Sequence, residues 1–261
     1  MTADGDPLRR LAAFTPARIA LGRVGASLPT REVLSFAMAH AQARDAVHAP
    51  LDAAAMVGQI QALGLPTVQV RSAAASRGEY LRRPDLGRRL SAPSVEDLAR
   101  LKHPACDLAI VVADGLSSAA VHLQAGPFLA AFTRHAQARS LRLAPVAIAQ
   151  MGRVALGDEI GALLNARAVA ILIGERPGLS SPDSLGAYLT VNPSPGRTDA
   201  ERNCISNIRP DGLSHERAAF KLDWLVGEAL RRGITGVGLK DESDLVLLVP
   251  PRPRAALTDD S

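Results

Sequence analysis

The loop at residues 174–178, Gly-Glu-Arg-Pro-Gly, combines two opposite charges with residues that turn the backbone. It follows five apolar residues, 169–173, whose lack of polar alternation is typical of a strand buried on both faces of a parallel sheet. Open α/β sheets bind ligands at the carboxyl ends of such strands. Taken alone, the same pattern also fits a solvated turn with a surface ion pair.

Two more loops follow strand-like apolar runs. Asp114 and Gly115 come after residues 107–113, and residues 152–154, Gly-Arg-Val, come after residues 144–149. Strand and helix patterns alternate here, which predicts parallel pairing with right-handed crossovers. The three loops should then meet at the carboxyl edge of one sheet, and this convergence favours a binding site over plain turns.

The remaining elements must position these loops. Helical periodicity is present at residues 30–47 and 51–63, and again at residues 218–230 before Gly233. We predict an α/β fold, with a helical N-terminal region followed by a Rossmann-like, mostly parallel sheet flanked by helices. The predicted domains are a mainly helical one at residues 1–95, contacting a partner, and a ligand-binding one at residues 96–261.

Composition narrows the function classes. The 261 residues carry a net charge of +4 with scattered arginines and only 3% aromatic residues, which disfavours a nucleic-acid platform. No apolar run approaches the ~20 residues of a membrane span. Two cysteines without a secretory signal predict reduced thiols in a cytoplasmic protein. We therefore expect neither nucleic acid nor membrane as a partner.

Standard catalytic motifs are missing from the sequence. It has no Gly-x-Gly-x-x-Gly after a strand, no Walker A loop and no Gly-x-Ser-x-Gly elbow. Cys106 and Cys204 have no companions at zinc-ligand spacing, so no metal site is predicted. Cys204 lies among polar residues and is either a ligand contact or a buried, inert thiol. The absence of a nucleophile–base pair indicates chemistry carried by a cofactor or by another subunit.

Six segments in series resemble one family, the small (light) subunit of ethanolamine ammonia-lyase. The resemblance spans roughly residues 14–240, in the family's order. The segments are residues 15–19 with 22–25, 40–47, 82–90, 114–117, 174–179 and 204–208.

The resemblance implies an adenosylcobalamin-dependent carbon–nitrogen lyase that converts ethanolamine, and related vicinal amino alcohols, to acetaldehyde and ammonia. In that family the large subunit, a barrel, holds the substrate and the radical chemistry. The small subunit covers the corrin from the other side. The enzyme is active only with both subunits, which form heterodimers that assemble into a larger hetero-oligomer.

Three positions match the family's cobalamin contacts, namely Val154, Glu175 and Cys204. The catalytic residues are expected on the large subunit. The chain has no Asp-x-His-x-x-Gly motif, so the cofactor is expected to bind base-on, with its dimethylbenzimidazole on cobalt. Only residues 1–14 precede the first matching segment, which makes a packaging extension doubtful. A cytoplasmic location is expected, and a bacterial microcompartment stays possible through the large subunit.

Two other classes of function stay open on the residues alone. The first is a stand-alone α/β enzyme that binds a nucleotide or a sugar phosphate, although the missing phosphate loop counts against it. The second is a noncatalytic assembly protein.

Overall fold

A six-stranded mixed sheet is the centre of the computed structural model, which describes residues 10–15 and 17–248. The strands are β1 (Thr67–Arg71), β2 (Cys106–Ala113), β3 (Val146–Gln150), β4 (Ala166–Gly174), β5 (Leu185–Val191) and β6 (Asn203–Ile208). Their spatial order is β1-β3-β2-β4-β5-β6. The first four are parallel, whereas β5 is antiparallel to β4 and β6 is antiparallel to β5.

The predicted α/β class is confirmed, but the parallel arrangement holds for the first four strands only. The connection from β4 to β5, residues 175–184, contains no helix. A parallel return needs a crossover of about a dozen or more residues, usually with a helix, so this short connection brings β5 back antiparallel to β4. The mixed character of the sheet therefore follows from one connection.

Helices cover the sheet. They are α1 (Thr30–His48), α2 (Ala53–Gln61), α3 (Arg77–Arg82), α4 (Ala92–Arg100), α5 (Ser118–Ala138), α6 (Leu156–Leu163), α7 (His215–Arg232) and α8 (Ser243–Leu248). Side-chain N-caps begin α3, α4, α5 and α7, each from a serine. As predicted, α7 ends at Gly233, which takes the left-handed conformation (φ 69°).

The central strands are buried on both faces, which confirms the interpretation of their unbroken apolar runs. In β2, Ile110 and Val112 join the core under α2, α5 and α7, whereas Ala109 and Val111 join the core under α4 and α6. We call these the first and second faces of the sheet. On the second face α6 packs mainly on β4 and β2.

The second face is less covered at β5 and β6. Along these strands Leu189 and Ile205 are buried in the first core. Their neighbours point the other way, and Tyr188 is only half-buried while Cys204 and Ser206 are exposed. We call this surface of Tyr188, Cys204 and Ser206 the open face. It leaves room beside the carboxyl-edge loops.

The first strand comes from the predicted N-terminal domain. β1 ends well before the boundary predicted near residue 95, yet it pairs with β3 along its whole length. The sheet therefore draws on both sides of that boundary. The division of the chain into two domains stays a prediction.

Helix α1 leaves much of its apolar surface uncovered. Only Ala39 and Ala46 are buried along it, whereas Leu34 and Met38 are 64% and 62% exposed. Phe36 is also exposed, under the guanidinium of Arg18. Leu34 and Met38 lie one turn apart on the same side of the helix, whereas Phe36 lies on the opposite side. Exposed apolar side chains of this kind are typical of a helix that docks on another surface.

Acid should weaken one interaction at the start of β2, the ion pair of Asp107 with Arg142. Asp107 accepts hydrogen bonds from the backbone N–H, Nε and Nη2 of Arg142 at 3.0–3.1 Å, and these bonds lower its pKa to about 2. A depressed folded pKa stabilises the fold above the unfolded pKa of about 3.9, and the gain is lost as the pH falls toward 2.

We therefore expect Asp107→Asn to lower the free energy of unfolding by about 1 kcal/mol at pH 7, a modest value because Arg142 is mostly exposed. The deficit should shrink between pH 4 and pH 2. Urea unfolding of both proteins across this pH range measures it, and a deficit independent of pH would contradict the assignment.

Candidate functional site

The three loops predicted to converge do meet at the carboxyl edge of the parallel strands. The N–H of Leu116 donates to the carbonyl of Gly174 at 2.9 Å, which joins the loops after β2 and β4. The N–H of Gly152 donates to Oδ1 of Asp114 at 3.0 Å, which joins the loops after β2 and β3. Between them lies a cavity of about 390 Å³ that we call the loop cavity. Its wall includes Gly115, Arg153, Val154, Gly174, Glu175 and Tyr188.

Glycine is required where the loops after β2 and β4 touch. Gly115 has φ +54°, and a Cβ on it would overlap the carbonyl of Gly174. A Cβ on Gly174 would lie 2.6 Å from the carbonyl oxygen of Asp114 and still closer to that of Ser117. Because these neighbours are backbone atoms, they cannot move aside without separating the loops.

A buried ion pair holds these loops in place. Nη1 of Arg77 donates to Oδ2 of Asp114 at 3.0 Å and to the carbonyl of Gly115 at 2.9 Å. Its Nε donates to the carbonyl of Val47, at the end of α1, at 2.8 Å. Burial raises the pKa of Asp114 and the charge of Arg77 opposes that rise. This pair therefore links α1 and α3 to the site.

Tyr80 packs between two arginines beneath the same loops. The guanidinium carbon atoms of Arg77 and Arg153 lie 4.8 and 4.4 Å from the centre of its ring. Its hydroxyl lies 2.9 Å from the carbonyl oxygens of both Gly115 and Gly152. Burial raises the pKa of Tyr80, so the hydroxyl stays protonated and able to donate.

The carboxylate of Glu175 is held in place with one oxygen left over. Its Oε2 accepts hydrogen bonds from the hydroxyl of Ser184 and from the N–H of Asn207. A Cβ on Gly186 would come within 2.9 Å of Oε1, so this glycine makes room for the carboxylate. Oε1 makes no hydrogen bond to any residue that the structure describes. It can therefore accept one from a ligand.

The predicted site residues Val154 and Cys204 both lie near Tyr188. Val154 is half-buried and shares the wall of the loop cavity with Glu175 and Tyr188. Cys204 is the cross-strand neighbour of Tyr188 on the open face. Cys204 is exposed, which contradicts the alternative of a buried residue, and it forms no part of the wall of the loop cavity. The structure thus brings Val154 and Glu175 together and places Cys204 beside them.

Both polar groups of this pair keep their protons at neutral pH. Although part of the residue is exposed, desolvation of the thiol raises the pKa of Cys204, the proximity of Tyr188 opposes the rise and the charge of Glu175 adds to it. The pKa of Tyr188 is raised by burial and by its neighbour Cys204. A neutral thiol beside a neutral phenol is a soft packing surface and a poor nucleophile.

A second cavity, of about 520 Å³, continues from the first. We call it the arginine cavity, and its wall includes Arg88, Arg153, Val154, Tyr188, Arg197 and Asp199. Arg153, Val154 and Tyr188 belong to both cavities. The two cavities therefore adjoin at these three residues, and we call the two together the groove.

The groove has the character of a binding surface. Across residues 10–15 and 17–248, no three or more His, Cys, Asp or Glu side chains are grouped so as to hold a metal ion. Among the helices in the same part of the chain, none has both the length and the apolarity to cross a bilayer. Fold and groove together define an α/β protein with a groove between its carboxyl-edge loops and its sheet.

Comparison with known proteins identifies the family. The model of the ethanolamine ammonia-lyase light chain (EutC) matches residues 5–240. A protein of Bradyrhizobium diazoefficiens named ethanolamine ammonia-lyase small subunit is 58% identical over 241 residues, which cover 91% of each chain. Relatives of the same name from Rhodopseudomonas palustris and Ralstonia nicotianae are each 54% identical over 95% of this chain, and over 95% and 93% of their own. The chain belongs to the ethanolamine ammonia-lyase light-chain family, which confirms the resemblance.

Proposed function

We propose that this chain is the small subunit of an adenosylcobalamin-dependent lyase that deaminates ethanolamine and related vicinal amino alcohols to acetaldehyde and ammonia. The observation that carries the proposal is the shared position of Val154 and Glu175 in one groove, with Cys204 at its side. Membership of the family supports the reaction class. The chain acts by helping to hold the cofactor, and turnover requires the large subunit.

The groove fits a corrinoid in chemical type. A corrinoid has an apolar ring surface edged by carboxamide arms. Val154 and the ring of Tyr188 offer apolar contact, and Oε1 of Glu175 offers an acceptor for an amide N–H. Cys204 adds a small, polarisable contact. When bound, adenosylcobalamin supplies the radical that starts the reaction on the substrate.

The residues of this chain position the cofactor and exclude water from one side of it. Glu175 orients a carboxamide arm because its Oε2 is fixed by Ser184 and Asn207. The loops after β2 and β4 cannot move relative to each other, because Gly115 and Gly174 are in close backbone contact. The groups that handle the substrate are assigned to the large subunit. We also infer that the cofactor binds base-on, with its dimethylbenzimidazole on cobalt. We infer further that the four parallel strands act as a Rossmann-like sheet, which binds its ligand at the carboxyl edge.

The uncovered helix α1 is our candidate contact with the large subunit. Leu34, Phe36 and Met38 are large apolar side chains that stay exposed in the single chain. This assignment agrees with the predicted role of residues 1–95 as a partner-contacting domain. The heterodimers are inferred to assemble further. Location in the cytoplasm or in a microcompartment stays a prediction.

Co-expression with the large subunit tests the proposal. The purified complex should show cobalamin absorbance after loading, and it should turn over ethanolamine only with adenosylcobalamin. Turnover by the lone chain would favour a stand-alone enzyme, and a well-formed complex that neither binds cobalamin nor turns over would contradict the proposal.

Glu175→Ala should weaken the complex's affinity for adenosylcobalamin about tenfold or more, because it removes a charged acceptor worth roughly 1.5–3 kcal/mol. Glu175→Gln keeps one acceptor oxygen and should lose less. The matched control is Glu96→Ala, which removes an exposed carboxylate of α4 outside both cavities. The dissociation constant is the measurement, and an unchanged value for Glu175→Ala would favour a noncatalytic assembly role.

A further inference from the structure

Some of the cationic side chains in the wall of the arginine cavity have no ion-pair partner among the described residues. Arg88, Arg153 and Arg197 contribute to its wall, and Asp199 is the carboxylate in that wall. The side chain of Asp199 is 87% exposed and pairs with Arg202 at 3.3 Å. Its negative charge is thus already shared with another cation.

The three arginines differ in what holds them. Arg197 pairs with Glu201 and donates to the carbonyl of Asn192 at 3.0 and 3.2 Å. Arg88 and Arg153, by contrast, make no side-chain hydrogen bond or ion pair with any residue in the described part of the chain. These two cations are therefore available to a ligand.

Arg153 is the more informative of the two. Its guanidinium carbon lies 4.4 Å from the centre of the Tyr80 ring. The guanidinium N–H groups of Arg153 donate to no described residue, and its Nε–H is buried without an acceptor among them. A half-buried guanidinium without an acceptor is costly unless a ligand provides one.

Close contacts with Gly87 fix the position of Arg153. Its backbone N–H donates to the carbonyl of Gly87 at 2.8 Å. A Cβ on Gly87 would lie 2.8 Å from both Cγ of Arg153 and the ring of Tyr80, so this glycine lets the two pack closely. Arg88, the next residue, is thereby brought to the same cavity.

We propose that the arginine cavity binds a phosphate group through Arg153 and Arg88. Arginine forks match phosphate oxygens in pairs. This inference rests on the proposed function for one source of the phosphate, the phosphodiester in the nucleotide tail of cobalamin. The other source is free inorganic phosphate. Because the two cavities adjoin through Val154 and Tyr188, one cofactor can reach both.

Binding to the two-subunit complex tests the proposal with four probes: adenosylcobalamin, adenosylcobinamide phosphate, adenosylcobinamide, which lacks the phosphate, and inorganic phosphate. Arg153→Met should weaken binding of the first two by about 10- to 100-fold and leave adenosylcobinamide within about twofold of wild type. Arg88→Met should give a smaller loss in the same direction, because Arg88 is exposed. Arg89→Met removes an equal charge from the next residue, outside the cavity wall, and should change nothing.

The outcomes separate the sources of phosphate and the two proposals. Loss confined to the phosphate-bearing corrinoids assigns the site to the nucleotide tail. Inorganic phosphate binding that only the Arg153 and Arg88 variants lose, with corrinoid affinities intact, assigns it to free phosphate. Equal losses for all corrinoids, or no loss with any probe, overturn the proposal even when wild type binds cobalamin. If wild type binds no corrinoid, the proposed function fails, and the inorganic phosphate titration alone decides the anion site. Arg88→Met, at an exposed position, keeps the test valid if Arg153→Met does not fold.

Discussion

Arg202→Met is expected to lower the free energy of unfolding by about 3–5 kcal/mol. Arg202 is 7% exposed, and its two terminal nitrogens each lie 2.7 Å from one carboxylate oxygen of Asp158. It also donates to the hydroxyl of Thr190 and to the carbonyl of Arg197, both at 2.9 Å. Methionine fills similar space but leaves Asp158 as a buried charge without a partner.

The same argument gives the deficit a pH dependence. Burial already raises the pKa of Asp158, and Arg202 opposes that rise. Without Arg202 the folded pKa rises further above the unfolded value, so the deficit should be largest at high pH and shrink as the pH falls and Asp158 takes up a proton. Urea unfolding at pH 8 and pH 5 measures the difference.

Two further variants make the test specific. Asp158→Asn added to Arg202→Met removes the stranded charge and should recover part of the lost stability. Arg231→Met breaks an exposed pair with Glu228 and should cost less than about 1 kcal/mol. A deficit for Arg202→Met no larger than that of Arg231→Met would show that the buried pair contributes little.

Gly174→Ala is expected to have the second large effect, about 3 kcal/mol of stability. The added methyl group would overlap the carbonyl oxygens of Ser117 and Asp114, both backbone atoms. The loops after β2 and β4 would have to separate, which breaks the hydrogen bond from Leu116 to Gly174. Cobalamin affinity of the complex should fall as well, because Glu175 is the next residue.

Gly78→Ala is the matched control. It makes the same chemical change inside α3, where nothing lies within 4 Å of the added Cβ. Helix propensity favours alanine there by about 0.5–1 kcal/mol, so this variant should be neutral or slightly more stable. Melting temperature and cobalamin titration of both variants give the comparison. Equal melting temperatures would contradict the close approach at Gly174.

The convergence of the loops could be predicted because its signal is local. The strands β2, β3 and β4 each contain an unbroken apolar run that is soon followed by glycine and charge, as at residues 169–175, and parallel strands share one carboxyl edge. The direction of β5 could not be predicted in the same way. An apolar run looks alike in either direction, and only the connection before it decides.

The residues that the sequence analysis missed act through long-range pairing. Tyr188 matters because strand register sets it opposite Cys204, and register is not visible in either segment alone. Tyr80 lies just before the family-like segment at residues 82–90, but its contact with Arg153 joins α3 to the loop after β3, which are far apart in the sequence. For α1, the apolar side chains are visible in the sequence, whereas the surface that covers them is not.

The open face of β5 and β6 has a consequence for the empty protein. The central strands β2, β3 and β4 are packed on both sides, but here Tyr188 is only half-buried and Cys204 is exposed. A corrinoid bound in the groove would act as the absent layer. Backbone amides of these two strands should then exchange hydrogen with solvent more slowly in the loaded complex than in the empty one. The backbone amides of β2 are already covered by helices, so their exchange rates should not change when the cofactor binds.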